Sequence, residues 1–118
     1  MNTIDELMSS LIVELRRGTL VLSVLSQLSS PEYGYSLVQK LENKNAPIEA
    51  GTLYPLLRRL EKQQLLISNW DTTESRPRKF YVLSDEGKQV YEHLKSEWKS
   101  LSMQLEKLLM EDDDNEAD

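Results

Sequence analysis

Leu53, Leu56, Leu57 and Leu60 recur at i, i+3, i+4 and i+7 within Ala50-Gly51-Thr52-Leu53-Tyr54-Pro55-Leu56-Leu57-Arg58-Arg59-Leu60-Glu61-Lys62. That spacing is a single apolar stripe on an α-helix. Turned away from the stripe are Gly51, Pro55, Arg58 and Lys62, flanked by Thr52, Tyr54 and Arg59. A glycine on that outer face removes the side chain that would hold the backbone off a neighbouring surface. Pro55 lacks a backbone N–H and is tolerated near the front of a helix. The helix should therefore begin between about Glu49 and Thr52. A short helix with a buried stripe, a small front end and outward arginines has the make-up of a recognition helix for the DNA major groove. An ordinary core helix with a solvated, charged back would carry the same stripe, so the segments around it decide between the two.

Composition narrows the field. A chain of 118 residues has room for one domain with a small core. It has no cysteine, hence no disulfide framework, thiol nucleophile or cysteine metal site. Its one histidine, His93, rules out a histidine metal cluster within one chain, and no metal or other cofactor is expected. No apolar run approaches a membrane span and no signal-peptide pattern opens the chain, so a cytoplasmic location with no membrane partner is expected. Glu14, Glu42, Glu61 and Glu86 are scattered through different helices and offer no acid–base pair. Glycine-rich phosphate loops and nucleophile elbows are absent too, which argues against an enzyme.

A net charge of −6 argues at first against nucleic acid. Its distribution argues the other way. Six acids and no base lie in residues 111–118, and without them the chain is electrically balanced. Residues 50–80 carry Arg58, Arg59, Lys62, Arg76, Arg78 and Lys79 against Glu61, Asp71 and Glu74, a local charge of +3. The local field, not the total, decides whether a phosphate backbone is attracted. Residues 111–118 read as a disordered acidic tail.

In chain order, Ile4, Leu7, Met8, Leu11, Ile12 and Leu15 mark one face of an amphipathic helix that needs a partner. Gly18 could end that helix with Thr19 capping the next, or one helix could run through. Residues 20–28 are apolar on most sides, as in a central core helix. Pro31 breaks the chain, and a helix from Tyr33 or Gly34 to Glu42 follows, with Leu37, Val38 and Leu41 inward. A turn at Asn43–Pro47 leads to the leucine-striped helix, which makes a helix-turn-helix. Residues 65–70 and 79–83 read as two strands of a hairpin with a basic tip. A hairpin directly after a helix-turn-helix is the wing of a winged helix. Ser84 then caps a helix running to about Met110. Its stripe is Val90, Leu94, Trp98, Leu101, Leu105 and Leu108, ending in coiled-coil spacing. At 1.5 Å per residue that helix is roughly 40 Å long, more than one small domain requires. The fold class expected is mainly α with a small β-hairpin. Residues 1–83 form the winged helix-turn-helix with its N-terminal helix, 84–110 a C-terminal dimerisation helix and 111–118 the tail.

Gly51-Thr52-Leu53-Tyr54-Pro55, Leu57-Arg58-Arg59-Leu60-Glu61, and Arg78-Lys79-Phe80-Tyr81-Val82-Leu83-Ser84 with Gly87 together resemble the PadR family of bacterial transcriptional regulators. Tyr33-Gly34-Tyr35 and Arg17-Gly18-Thr19-Leu20 fit as well. The resemblance covers residues 15 to about 110, and the lone C-terminal helix is similar to the short subfamily. It implies a winged helix and a homodimer formed through the N- and C-terminal helices. It also implies a first helix continuous through Arg17-Gly18, and a regulator, mostly a repressor, released by a small molecule or another cue. The acidic tail lies outside the pattern.

On this reading a two-fold dimer presents two recognition helices about one DNA turn apart, so the operator should be a near-palindrome of double-stranded DNA. The residues expected to meet DNA are Tyr35, Ser36, Gly51, Thr52, Tyr54, Pro55 and Arg58, with Arg76, Arg78 and Lys79 on phosphate from the wing. Packing within the chain is the alternative for Tyr54, and a merely solvated loop the alternative for the wing cations. The dimer interface expected is Leu7, Met8, Leu11, Leu15, Leu94, Trp98, Leu101, Leu105 and Leu108. Trp98 and its symmetry mate could also border a cavity that stacks a flat hydrophobic or aromatic effector. His93 reads as a surface residue. The competing account is a winged-helix module that binds protein instead of DNA, as the overall acidity allows.

Overall fold

The computed structural model describes residues 3–117, with side chains through Glu111. Five helices and three strands follow in order: α1 (Thr3–Arg17), α2 (Leu20–Ser26), β1 (Glu32–Tyr33), α3 (Gly34–Asn43), α4 (Ala50–Lys62), β2 (Leu66–Asp71), β3 (Arg78–Leu83) and α5 (Asp85–Ala117). The core is the leucine stripe of α4 set against α2 and α3. Leu53, Leu57 and Leu60 meet Val24, Leu25, Leu28 and Leu37, all essentially sealed from solvent. Burying a leucine side chain stabilises by about 1.5–3 kcal/mol, so this cluster holds the helix-turn-helix together. Leu66, Tyr81 and Leu83 close it from the sheet, and Tyr91 and Leu94 of α5 pack on its edge.

Two turns share one design. Among the described residues, Asn45 and Gln64 are the non-glycine residues with positive φ, at 61° and 65°. Each stands just past a helix end. Ala46 N–H donates to Leu41 O (2.9 Å) and Asn45 N–H to Glu42 O (3.1 Å) after α3. Leu65 N–H donates to Leu60 O (3.0 Å) and Gln64 N–H to Glu61 O (2.9 Å) after α4. Both are Schellman closures, which spend the orphan carbonyls of a helix end. They turn the chain sharply, first into α4 and then into the hairpin.

Several elements differ from the sequence reading. The sheet has a third strand, in the order β1-β3-β2, with Glu32 opposite Tyr81 and Tyr33 opposite Phe80. Two residues after a proline carry no periodic pattern, and their pairing exists only once β3 is beside them. The first helix is not continuous. It stops at Arg17, and Arg16 O accepts both the N–H (3.0 Å) and the hydroxyl (2.9 Å) of Thr19. Those two bonds tighten the turn at Gly18 before α2 begins.

Ser84 starts α5 as expected. Its hydroxyl accepts from Gly87 N–H at 2.9 Å and donates to Gln64 O at 2.7 Å. A Cβ on Gly87 would lie 2.0 Å from Leu65 O, so only glycine lets α5 come this close to the turn. The helix then runs to Ala117, past the end near Met110 that its apolar stripe suggested. No glycine or proline after Gly87 interrupts its backbone ladder.

Candidate nucleic-acid interface

The outer face of α4 is bare. Gly51, Thr52, Pro55, Arg58 and Arg59 are exposed, and a Cβ on Gly51 would meet nothing within 4 Å. The fold itself therefore makes no demand for a glycine at position 51. Pro55 sits in the second turn of α4, deeper than the first-turn positions where proline is free of cost. Its ring removes the N–H that would have bonded Gly51 O.

Tyr54 is held more firmly than the other outward residues. A Cβ on Gly34 would lie 2.3 Å from Tyr54 Cε1 and 2.9 Å from its hydroxyl oxygen, so the ring lies on the start of α3. About a third of Tyr54 remains open to solvent, at 38%. Packing and outward presentation are both realised: the Cε1–hydroxyl edge of the ring sits against Gly34 while part of the side chain stays open to solvent.

At the head of α3 the two expected contacts part company. Tyr35 is 67% exposed, its hydroxyl accepting from the Gln39 amide at 2.9 Å. Ser36 is half-buried and its hydroxyl is engaged. It accepts from Tyr33 N–H (3.0 Å) and reaches Glu32 Oε2 (2.8 Å), so it serves the helix start. Burial raises the Glu32 carboxyl, but hydrogen bonds from Lys40 (3.0 Å) and Ser36 outweigh it and hold the group below its ordinary range.

The wing has two faces, and the sheet register assigns its cations to different ones. Arg78 belongs to the outer face, where its guanidinium lies 4.4 Å above the Tyr33 ring. Tyr33 in turn meets Phe80 edge-on at 5.9 Å and donates its hydroxyl to Asp71 Oδ2 at 2.6 Å. The Tyr33 hydroxyl, with Thr73 N–H and Oγ1, depresses the Asp71 carboxyl to about 2. The same bond raises the Tyr33 hydroxyl. Strand β1 and the hairpin are thus latched together.

Lys79 belongs to the inner face. Its ammonium is 3.1 Å from Glu61 Oε1, and Ser68 Oγ also donates to that carboxylate. Ser68, then Lys79, pull Glu61 below its usual range against its partial burial, and Glu61 raises Lys79. Lys79 therefore ties the wing to the end of α4, while Arg76 lies exposed in the connecting turn. Sequence reasoning grouped the three cations because the Lys79–Glu61 pair spans 18 residues and is invisible to local pattern.

The helices assigned to dimerisation expose their stripes. Every described residue of α1 up to Arg17 is exposed, Leu7, Met8, Leu11 and Leu15 among them. On α5, Trp98, Leu101, Leu105 and Leu108 are exposed, whereas Leu94 is half-buried against the core of its own chain. A shallow cavity of about 320 Å³ lies between α2 and α5, lined by Thr19, Leu22, Ser23, Tyr91, Lys95 and Trp98. Among the described residues no group of three or more acidic or histidine side chains could hold a metal ion. No helix among them is long and apolar enough to cross a membrane.

Comparison with known proteins agrees with this architecture. Residues 21–93 match the Transcriptional regulator PadR-like family, which takes in the helix-turn-helix, the wing and the start of α5. A PadR family transcriptional regulator from Eggerthella lenta is 53% identical, with a TM-score of 0.85, over 90% of this chain and 95% of that one. A transcriptional regulator of Mycobacterium tuberculosis is 33% identical over 76 residues, 64% of this chain and 71% of its own length. PadR of Bacillus subtilis, solved in complex with operator DNA, shares the fold at a TM-score of 0.61 and 20% identity. That match covers 64% of this chain and 45% of that one. The family match spans more than half the sequence and includes the striped helix and its hairpin: the chain belongs to the PadR-like family of transcriptional regulators.

Proposed function

We propose that this regulator binds double-stranded DNA as a homodimer, with α4 in the major groove and the wing along the backbone, and that it acts as a ligand-responsive repressor on a near-palindromic operator. The observation that carries the reading is the outer face of α4. Gly51, Thr52 and Arg58 are left uncovered on a helix whose other side is fully packed, with open space where a Gly51 side chain would go. Thr52, Tyr54 and Arg58 reach base edges or adjacent phosphates, Tyr35 meets the backbone beside them, and Arg76 and Arg78 bind phosphate. Ser36 and Lys79 contribute by holding α3 and the wing in place.

Surface area supports the dimer. The chain exposes 9116 Å², against about 6,600 Å² for a compact monomer of its mass, an excess of roughly 2,500 Å². Much of that is the apolar face of α1 and the outer half of α5, and an obligate interface of this kind buries about that much or more. Pairing the two helices with those of a second copy covers both stripes. The cavity beside Trp98 then borders the interface, where a flat hydrophobic effector would stack on the indole.

Two measurements test the reading. In gel-shift titrations across salt, replacing Arg76 and Arg78 by glutamine should weaken binding to every sequence and flatten the slope by about 0.9 per lost phosphate contact. Unchanged affinity at every salt level would remove the wing from the interface. For the effector, planar hydrophobic compounds should quench tryptophan emission, and Trp98→Ala should abolish the quenching. If quenching survives that substitution, the site is elsewhere.

A further inference from the structure

Trp70, on the hairpin, leaves 63% of its surface exposed, so the fold makes little use of its indole. Strand register says which way it faces. Leu66, Ser68 and Trp70 alternate along β2 and stand opposite Leu83, Tyr81 and Lys79. Residues two apart, and residues directly opposite, share a sheet face. The inner end of this face is core, with Leu66, Tyr81 and Leu83 buried. Its middle is tied to α4, since Ser68 and Lys79 both bond the Glu61 carboxylate. Trp70 stands about 7 Å beyond Ser68 along the strand, level with Lys79.

Arg58 precedes Glu61 by three residues and Tyr54 precedes it by seven, so both stand on the Glu61 side of α4. The recognition helix and the wing thus form an angle closed by the Glu61–Lys79 pair, with Arg58 one turn before Glu61 on the helix and Trp70 opposite Lys79 on the hairpin. Lys79 neutralises Glu61, which leaves Arg58, and Lys62 one turn after it, without an acidic partner among the described residues. An exposed indole beside cations and no free acid does not suit an acidic protein surface better than it suits a nucleic-acid strand. The deciding feature is continuity with the exposed face of α4, onto which this angle opens.

We propose that Trp70 packs against the sugar–phosphate backbone of one DNA strand held between α4 and the wing. The flat indole face covers the C–H surface of a deoxyribose, and the ring N–H is free to donate to a phosphate oxygen. Such a contact carries no sequence information. It sets how deeply the wing and the recognition helix close on the duplex. The inference rests on the DNA-binding reading above and adds a contact that the basic residues alone do not supply.

The test uses a mixed-sequence duplex of about 30 base pairs at roughly 50 mM salt, because a backbone contact needs no operator. An end label on the DNA reports binding by anisotropy, and tryptophan emission is read in parallel. The native protein should show quenched emission and reduced acrylamide accessibility on binding. Trp70→Phe, in which Trp98 is the remaining tryptophan, should lose most of that response yet bind within a few-fold. Trp70→Ala, checked for an unchanged melting curve, should bind about tenfold more weakly. If the duplex binds native and Trp70→Ala protein equally and the Trp70 emission does not change, the contact is refuted and the DNA-binding reading stands. If the duplex does not bind the native protein at all, both fall together.

Discussion

At Gly51 the demands of folding and of binding point in opposite directions, so one substitution separates them. The Cβ of an alanine there would touch nothing, and alanine is a better helix former than glycine by up to about 1 kcal/mol. Gly51→Ala should therefore raise the unfolding free energy by about 0.5 kcal/mol. With α4 in the major groove as proposed, the same methyl would stand between its backbone and the DNA, so affinity should fall by about tenfold. Thermal melts and binding titrations on one preparation check both signs. A variant that is more stable and binds normally would mean that α4 does not approach DNA closely at Gly51. Gly34 is different in kind: its missing side chain is where Tyr54 rests, so any side chain there would displace the Tyr54 ring.

The elements show where sequence pattern suffices and where it fails. Four leucines at helical spacing were enough to define α4, its buried side and its outward side, because a 3.6-residue period is a local property. The hairpin was legible to within a residue at each strand for the same reason. What stayed hidden depends on contacts between distant segments. Strand β1 is recognisable only by its pairing with β3, and Tyr33 is 38 residues from Asp71, the group that latches it to the wing. Lys79 looks like Arg76 and Arg78 until Glu61 is placed beside it. Trp70's alternation with Leu66 and Ser68 could be counted in the sequence, but the Glu61 bonds that tie this sheet face to α4 could not. The wing latch can be tested as a unit. Asp71 sits near 2 in the folded chain against an ordinary 3.8. A depressed carboxyl stabilises above its unfolded value, and that contribution is lost as the pH falls from about 4 through 2. Tyr33→Phe removes the first cause of the depression. The Asp71 midpoint, followed by carboxyl-carbon NMR, should rise back towards 3.8 while the global fold persists. A midpoint still near 2 would mean that the Thr73 bonds alone set it.

On the scale of the whole molecule, the chain extends 66 Å along its longest axis and has a radius of gyration of 18.1 Å. A compact domain of this length would have a radius of about 13–14 Å. The extended parts are α1, whose apolar face is exposed throughout, and the outer half of the 33-residue α5, where Trp98, Leu101, Leu105 and Leu108 are exposed. One account joins these exposed stripes to the bare face of α4: two copies pair through the outer helices and present two recognition helices to one side of a duplex. Selection of binding sequences from a random duplex library, followed by sequencing, tests that account most directly. It predicts enrichment of near-palindromes whose half-sites are centred about 10 base pairs, or a whole multiple of that, apart. Recovery of single asymmetric half-sites, or no enrichment over the starting library, would contradict it.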